Sequence, residues 1–419
     1  MKTYKEASKQ KLEARKKRHQ DHPLPHPPPS RGRVGVGGLL ASCFLLLASF
    51  LAGCATSSIF QPLGDNISSP NGIVVDAATN RLYLVNSNSN VLYDWHQGSI
   101  QIYDISDPLH PQLMNTVPTD SFSGEAVLDS ARKLLYVTNR FSEQKTVTED
   151  HLLALNIDEG SSDFLALNSI IVDKDPYGLA CCYTADRMWI ATGGNALDYR
   201  DLGTSTGGST SLLRSISNGG TFTDSETSFI TLKGNQAFLQ RIRGGVLVMN
   251  LDEVDDATKN PVDYWIEDFN NPQDVANDGT YLYVVDEEII DNEWSPLLFV
   301  IDPSSLVPLT DNETTQAKDK ETDNLVVAQI QVAKQPQRVF LTSKYAFVTC
   351  NNEDNDGIVS VIDLTARAKI ADITVGREPF GMALYAPGGV EKYLYVGNVE
   401  SNTLSIIDIE SLTVVGTYP

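Results

Sequence analysis

The segment that decides the fold reads Pro-Phe-Gly-Met at 379–382, Leu-Tyr-Val-Gly-Asn at 394–398 and Leu-Ser-Ile-Ile-Asp at 404–408. Each piece is a short apolar run, and polar or turn-forming residues lie between the pieces. Runs of this length that are rich in branched and aromatic residues are typical of β-strands. The segment therefore predicts consecutive antiparallel strands joined by turns.

The same pieces recur along the chain at a spacing of about fifty residues, which indicates an internal repeat. Gly72, Gly124 and Gly178 are 52 and 54 residues apart. Gly178 and Asp274 are 96 residues apart, which leaves room for two repeats. The missing repeat is expected within 205–255. Counterparts lie at 70–75, 82–86 and 100–104; at 124–127, 135–139 and 152–156; at 176–179 and 188–192; at 237–240 and 245–251; at 272–275, 282–286 and 298–302; and at 336–339, 346–351 and 359–363.

A repeat of four antiparallel strands cannot bury both faces of its sheet alone, so copies stack around a ring. We predict an all-β fold, a single β-propeller of seven four-stranded blades over 65–419. Six and eight blades are also compatible with the spacing. Pro can begin a strand because its missing N–H is not needed there, and Gly permits close approach near the crowded axis.

Residues 136–139 read Tyr-Val-Thr-Asn. With this motif and the repeat around it, the chain resembles the YVTN family of β-propeller proteins over about 65–419. The resemblance implies the propeller fold. It implies no single function, because propellers host many activities.

Residues 1–53 are interpreted as a targeting segment. Basic and Pro/His-rich stretches precede 34–52, which carry no charge, and Leu-Ala-Gly-Cys follows at 51–54. A basic region before an apolar core is typical of a signal peptide. The end of the segment resembles the lipobox of bacterial lipoproteins, which implies cleavage before Cys54, a diacylglycerol on its thiol and a tether over 54–64. Alternatively, 34–52 stays in the chain as a transmembrane anchor.

Both alternatives place the body of the protein in the cell envelope, outside the cytoplasmic membrane. In lipoproteins of Gram-negative bacteria, an Asp after the lipidated Cys is the usual inner-membrane retention signal. Ala55 stands there instead, which favours the outer membrane.

The body of the chain is strongly acidic. The first 53 residues hold ten of the 32 basic residues and three of the 54 acidic ones, which leaves residues 54–419 with a net charge of −29. Such a body repels nucleic acid, so no nucleic-acid partner is expected. Three Cys remain beyond Cys54, an odd number that predicts no full disulfide framework.

A binding face is predicted where several long loops join the second strand of a blade to the third. These loops span 87–98, 140–150, 286–296 and 351–357. Tyr93, Trp95, His96 and Trp294 fall in them, and aromatic residues on long loops suit a binding surface. The alternative is that these rings pack back onto the blades. The 308–325 loop should lie on the other face in solvent.

Several short motifs resemble metal-binding or catalytic sites. Asn352, Asp354 and Asp356 precede Gly357 in an approximate calcium loop, with an acidic turn as the alternative. Cys181 and Cys182 are expected as buried free thiols, because adjacent strand residues point to opposite faces. The alternative is a vicinal disulfide of the kind that some quinoprotein dehydrogenases place against their quinone. Gly-Thr-Ser-Thr-Gly at 203–207 lacks the strand and helix that a nucleophile elbow needs. His96, His110 and His151 are far apart in sequence and indicate no metal site.

These observations favour an envelope-anchored lipoprotein whose propeller is a non-catalytic binding or scaffold module for a protein or surface partner. No catalytic residues are assigned, and no cofactor is expected apart from Ca²⁺ at 352–356. The alternative is a propeller enzyme, a lactonase-like hydrolase or a quinone-linked dehydrogenase, with its site at the central channel. A buried polar cluster that converges on the axis would favour the enzyme.

Overall fold

The chain divides into two units, Met1–Ile59 and Phe60–Pro419, and the second unit is described here from a computed structural model. The predicted signal segment and Cys54 lie outside the described residues. The structure describes residues 63–88, 97–121, 123–140, 150–173, 175–181, 187–193, 196–202, 211–216, 227–241, 244–256, 259, 261–267, 269–287, 289–290, 293–309, 318–320, 324–352 and 356–419.

Seven four-stranded antiparallel blades form a closed ring, so the predicted seven-bladed β-propeller is confirmed. Each blade is a meander whose first strand lies innermost and contacts the first strands of its neighbours.

The strands, in chain order, have the following bounds. Blade 1 contains β1 (Pro70–Asp76), β2 (Arg81–Asn86), β3 (Gln97–Asp104) and β4 (Gln112–Ser121); blade 2, β5 (Ser123–Asp129), β6 (Leu134–Asn139), β7 (Asp150–Asn156) and β8 (Leu167–Val172); blade 3, β9 (Pro176–Cys181), β10 (Arg187–Thr192), β11 (Ala196–Asp201) and β12 (Ser211–Ile216); blade 4, β13 (Thr227–Lys233), β14 (Gln236–Arg241), β15 (Val246–Asn250) and β16 (Val262–Ile266), with β22 (Lys318–Lys320) added; blade 5, β17 (Pro272–Asn277), β18 (Leu282–Asp286), β21 (Leu297–Ile301) and β23 (Val326–Gln331), with the hairpin β19 (Ile289–Ile290) and β20 (Glu293–Trp294); blade 6, β24 (Pro336–Leu341), β25 (Tyr345–Cys350), β26 (Ile358–Asp363) and β27 (Ala368–Thr374); and blade 7, β28 (Pro379–Tyr385), β29 (Tyr393–Asn398), β30 (Thr403–Asp408) and β31 (Thr413–Tyr418). Short 3₁₀ segments lie at Leu251–Glu253, Pro303–Ser305 and Pro387–Gly389.

The second strands are apolar on both faces because a neighbouring blade covers each face. In β2, Leu82 and Leu84 pack against blade 7, whereas Tyr83 and Val85 pack against blade 2. Successive strand residues point to opposite faces, so the run Leu-Tyr-Leu-Val is buried along its whole length. Seven apolar clusters of the described residues fill the seven junctions between adjacent blades.

The ring closes between blades 7 and 1 without a shared strand, because the four strands of each of these two blades are consecutive in the chain. Besides the apolar cluster, hydrogen bonds link the two blades. The hydroxyl of Tyr385 donates to Asn80 at 2.7 Å, and that of Tyr395 donates to the Pro108 carbonyl at 2.7 Å. The backbone N–H of Ser69 donates to the side chain of Asn402 at 2.8 Å.

Blade 4 has its second and third strands where they were predicted, but its bounds differ from the prediction. It extends over 227–266 and not over 205–255, and 211–216 form the outer strand of blade 3 instead. The 308–325 loop was expected in solvent, yet Lys318–Lys320 pairs in parallel with β16 as a fifth strand. The edge of blade 4 is therefore covered by backbone hydrogen bonds, which removes a template for edge-to-edge association.

In the part of the chain that the structure describes, no helix has the length and apolarity that crossing a bilayer requires.

Candidate functional site

The innermost strand of each blade contains a register shift near its start, where the ladder to the second strand is interrupted. We call the third residue of this strand the axial position. Blades 1 to 7 carry at this position Gly72, Glu125, Gly178, Phe229, Asp274, Arg338 and Gly381.

Three axial positions require glycine because the backbone of another blade lies against them. A Cβ atom at Gly381 would lie 2.2 Å from the carbonyl oxygen of Asn71 in blade 1, and one at Gly72 would lie 2.5 Å from that of Gly124 in blade 2. This confirms the expected close approach near the axis. The repeat spacing equates Gly124 with Gly72 and Gly178, but the axial residue of blade 2 is the next one, Glu125.

Arg338 joins the axial carboxylates of two other blades. Its Nη2 donates to Glu125 Oε1 at 2.6 Å, and its Nε donates to Asp274 Oδ2 at 2.9 Å. Blades 7 and 1 lie between blades 6 and 2 along the shorter arc of the ring. The Arg338–Glu125 ion pair therefore spans the channel. The backbone N–H of Val339 also donates to Asp274 Oδ2, at 2.9 Å.

Aromatic rings flank the same guanidinium. Its central carbon lies 3.9 Å from the ring centroid of Phe229 and 5.3 Å from that of Phe380. A cation over an aromatic face is attracted by the ring quadrupole, and the attraction grows as water is excluded. Side chains from five elements of blades 2, 4, 5, 6 and 7 thus meet at one point on the axis.

The charges at this point are strongly coupled. Burial works against the charge of Arg338, yet Asp274 and Glu125 raise the pKa of Arg338 above its ordinary value. Burial raises the pKa of Glu125, and the Arg338 charge opposes that rise. The Asp274 side chain is 4% exposed and that of Arg338 is 16% exposed, so this axial cluster is a largely desolvated ion triad.

A cavity of about 920 Å³ lies above the axial cluster, with Glu125, Phe229, Arg338 and Phe380 among its lining residues. Its walls also include residues just before the inner strands, such as Ser69 and Asn271, and residues just after the second strands, such as Arg140. The cavity therefore belongs to the face that carries the loops between second and third strands. Its volume is within the range of ligand sites in proteins.

The mouth of this cavity also carries charges. Arg377 Nε lies 3.3 Å from Glu400 Oε2. Burial and the neighbouring Glu400 raise the pKa of Glu378. Arg140 is stacked 3.7 Å from the ring centroid of Tyr177, and burial lowers the pKa of Arg140.

The predicted aromatic binding residues are only partly placed. Trp294 lies in the β19–β20 hairpin, where it pairs with Ile289 in the loop after the second strand of blade 5. Tyr93, Trp95 and His96 lie outside the described residues, so the aromatic face stays a prediction.

The calcium loop stays a prediction, because Asp354 lies outside the described residues. Cys182 also lies outside them, whereas Cys181 is only half-buried, so its expected full burial is wrong. Asn352 and Asp356 flank the undescribed part of that loop, and Asp356 is exposed. Among the described residues, no group of three or more His, Cys, Asp or Glu side chains is placed to hold a metal ion.

Sequence reasoning missed the axial cluster, although a signal for it was present. Glu125, Asp274 and Arg338 interrupt apolar inner strands at a position where three other blades have glycine. Aligning the repeats on their second strands would have brought these residues into one column.

Comparison with known proteins supports the fold. The LVIVD repeat family model matches residues 95–119 and 390–416. These ranges include the third strands of blades 1 and 7. LVIVD repeats form a β-propeller family related to YVTN-type repeats, so the resemblance holds at the level of the propeller repeat and not for the YVTN family specifically. No curated protein sequence matches the chain.

Solved structures with a similar fold include the Kuenenia stuttgartiensis hydrazine synthase, at 16% identity and a TM-score of 0.58, covering 85% of this chain and 98% of that one. The computationally designed Ika8 protein is similar at 11% identity and a TM-score of 0.51, covering 84% of this chain and 88% of that one. At these identities the likeness concerns the fold alone.

Proposed function

We propose that the chain is an envelope-anchored lipoprotein whose propeller is a non-catalytic binding module for a protein or surface partner. The partner enters the cavity on the face of the loops between second and third strands. The observation that carries this proposal is the cavity of about 920 Å³ at that face. At its base, Glu125 and Asp274 are already ion-paired with Arg338, an arrangement that suits a rigid base for binding.

The anchor rests on the sequence that ends at Cys54. A diacylglycerol there would hold the acidic propeller at the outer membrane, and Ca²⁺ at Asn352, Asp354 and Asp356 would be its one candidate ion. Intact-mass analysis of the protein extracted from its native membrane tests the anchor. We expect a mass that begins at acylated Cys54, and a mass that includes residues 1–53 would contradict it.

The binding face is tested with a variant that fills the cavity. Gln337 lines the cavity, and Gln337→Trp would occupy part of its volume. Thr365→Trp is the control, because Thr365 is exposed in the turn between the third and fourth strands of blade 6, on the opposite face. Wild type and control immobilised on a support should retain an envelope component that Gln337→Trp loses. Equal retention by all three proteins would contradict the proposal.

A second candidate function is catalysis at the channel, and the convergence of Glu125 and Asp274 near the axis favours it. Turnover of lactones, or of alcohols with a quinone acceptor, would then fall at least 100-fold in Glu125→Gln. Equal rates in wild type and variant would exclude this site as the source of any turnover.

A further inference from the structure

The outer strand of blade 2 differs from the outer strands of the other blades. In blades 1, 3, 4, 5, 6 and 7 a register shift interrupts the ladder between the third and fourth strands. The ladder between β7 and β8 instead pairs 150–155 with 167–172 without a shift. In the part of the chain that the structure describes, blade 2 is therefore the one blade whose outer ladder is regular throughout.

The same strand lacks the usual protection of a sheet edge. β8 reads Leu-Asn-Ser-Ile-Ile-Val and contains neither a charged residue nor a proline, the residues with which proteins protect edge strands. Blade 4 has the added strand β22, whereas β8 pairs with β7 alone among the described strands. Ile171 is 55% exposed. A regular, uncharged edge of this kind is a template for a further strand.

One end of this edge is fixed to the neighbouring blade. The guanidinium of Arg200 in β11 donates to the Ile171 carbonyl at 2.8 Å, and the backbone N–H of Asp173 donates to the Asp198 carboxylate at 3.0 Å. Arg200 and Asp198 are buried and paired with each other. The edge is therefore ordered before any partner arrives, which lowers the entropic cost of binding.

The charges beside the strand indicate what kind of segment can pair with it. Asp163 lies four residues before β8 and Asp173 directly follows it. Neither carboxylate is ion-paired with a described residue. Lys174 is the one basic residue within 158–175, against five acidic ones. An incoming strand with basic residues at its ends would be attracted at both ends of β8.

The same charges disfavour a second copy of this chain as the occupant. Antiparallel pairing of two β8 strands would bring Asp163 of one copy towards Asp173 of the other. It would also join two bodies that each carry a net charge of −29. Like charges that meet across an interface oppose association.

We propose that β8 is an interaction edge, at which an extended segment of a partner protein adds a fifth strand to blade 2. The segment has an uncharged core of β-branched and aromatic residues, and Lys or Arg at its ends meets Asp163 and Asp173. Backbone hydrogen bonds give the affinity, and an apolar side chain beside Ile171 covers its exposed surface. No residue of β8 lines the axial cavity, so this edge is a second interface, independent of the cavity.

The test titrates the full chain with synthetic peptides. Their cores have six residues, the length of β8, drawn from Val, Ile, Thr and Tyr, with two Lys at each end. Matched peptides carry Glu in place of Lys, or methyl groups on the core amides that remove the backbone donors. We expect the best Lys peptide to bind at least about tenfold more tightly than either matched peptide. It should also protect the amides of Leu167–Val172 from hydrogen exchange.

Variants of the chain locate the binding edge. Ile171→Glu places a charge beside the uncharged core and should weaken binding at least about tenfold, although its charge attracts the Lys ends. The control, Ile370→Glu, makes the same change in the outer strand of blade 6, where Ile370 is 48% exposed and the ladder is interrupted. It should bind like the wild type. Asp163→Asn combined with Asp173→Asn should remove the preference for Lys over Glu at the peptide ends.

Binding that Ile171→Glu loses and Ile370→Glu keeps, with exchange protection confined to β8, supports the proposal. An array without a binder, equal affinities of the two glutamate variants, or protection at another edge overturns it. A wild-type chain that sediments as a dimer, and that Ile171→Glu makes monomeric, would show that the occupant is a second copy and would overturn the assignment to a partner protein.

Discussion

Arg338 is the residue on which the centre of the ring depends most. It pairs with Glu125 and Asp274 and stacks on Phe229, so one side chain connects blade 6 to three other blades. A buried charge cluster of this kind stabilises the fold little more than a well-packed apolar cluster would. Removing one partner is nevertheless costly, because it leaves buried charges without a counter-ion.

We expect Arg338→Met to lower the free energy of unfolding by about 3 to 5 kcal/mol, because both carboxylates would remain desolvated and unpaired. Urea denaturation measures this. The control, Arg377→Met, breaks an ion pair whose side chains are about half exposed and should cost no more than about 1 kcal/mol. Equal small losses in both variants would show that the axial cluster does not hold the ring together.

Glu378 predicts a pH dependence of stability. Burial and Glu400 raise its pKa above the ordinary value of 4.5, so the folded state holds this proton more tightly than the unfolded state does. The free energy of unfolding therefore decreases as the pH rises from 4.5 through the raised pKa of Glu378. Glu378→Gln should raise the melting temperature at about pH 8 and leave it unchanged at about pH 4.

The control for this prediction is Glu410→Gln, which alters an exposed carboxyl far from Glu378 in sequence. It should change neither melting temperature by more than a degree or so. A gain for Glu378→Gln at both pH values would point to packing and not to ionisation.

At the scale of the element, the inner strand is limited by how closely the blades approach. Gly381→Ala should lower the free energy of unfolding by about 1 to 3 kcal/mol, because the added methyl group would lie 2.2 Å from the backbone oxygen of Asn71. Gly160→Ala is a suitable control, since Gly160 is exposed and has no atom nearer than 3.4 Å. Thermal melting of both variants decides the matter, and similar melting temperatures would refute the steric argument.

The outer strands show a second regularity that concerns association. In blades 1, 5, 6 and 7 a bulge interrupts the ladder between the third and fourth strands. The residue left out of the ladder is apolar and at least 40% exposed in each case, at Met114, Val327, Ile370 and Val415. A bulge twists an edge strand and spoils it as a template for another chain.

The elements were predictable where the repeat is regular. Blades 1, 2, 5, 6 and 7 were located from their apolar second and third strands, because both faces of these strands are buried by neighbours. The second and third strands of blade 4 were also located, but its inner strand was missed because Thr227 and Phe229 stand where blades 1, 3 and 7 have Pro and Gly. The pairing of Lys318–Lys320 with β16 could not be predicted, since it depends on a contact between distant segments.

The candidate site was less predictable than the fold. Sequence patterns report which residues are buried, but the meeting of Glu125 and Arg338 depends on the radius of the ring and joins positions that are 213 residues apart in the chain. The cavity wall, which includes Ser69, Arg140 and Asn271, has the same origin. A closed ring brings equivalent positions of separate repeats together, whatever their separation along the chain.

For the whole molecule, closure depends on the last blade. A chain that ends at residue 377 lacks blade 7 and would expose the apolar clusters that this blade shares with blades 6 and 1. We expect such a chain to bind hydrophobic dyes and to lose cooperative unfolding. Removing residues 1–53 instead should leave the melting curve unchanged. A truncated chain that remained monomeric and melted cooperatively would contradict this expectation.

The ion pair across the axis also restricts how a gene for this protein can change. The core strands of each blade follow one another along the chain, apart from Lys318–Lys320 of blade 4, which lies within the sequence of blade 5. Unequal recombination between repeats would therefore add or delete blades largely as whole units. An eighth blade would widen the ring and draw the Arg338 guanidinium away from the Glu125 carboxylate, which it now meets at 2.6 Å. Glu125 would then lose its counter-ion, whereas Arg338 would keep Asp274. A buried carboxylate without a partner lowers the stability of the folded state. We therefore expect recombinants of altered blade number to be less stable than the seven-bladed chain.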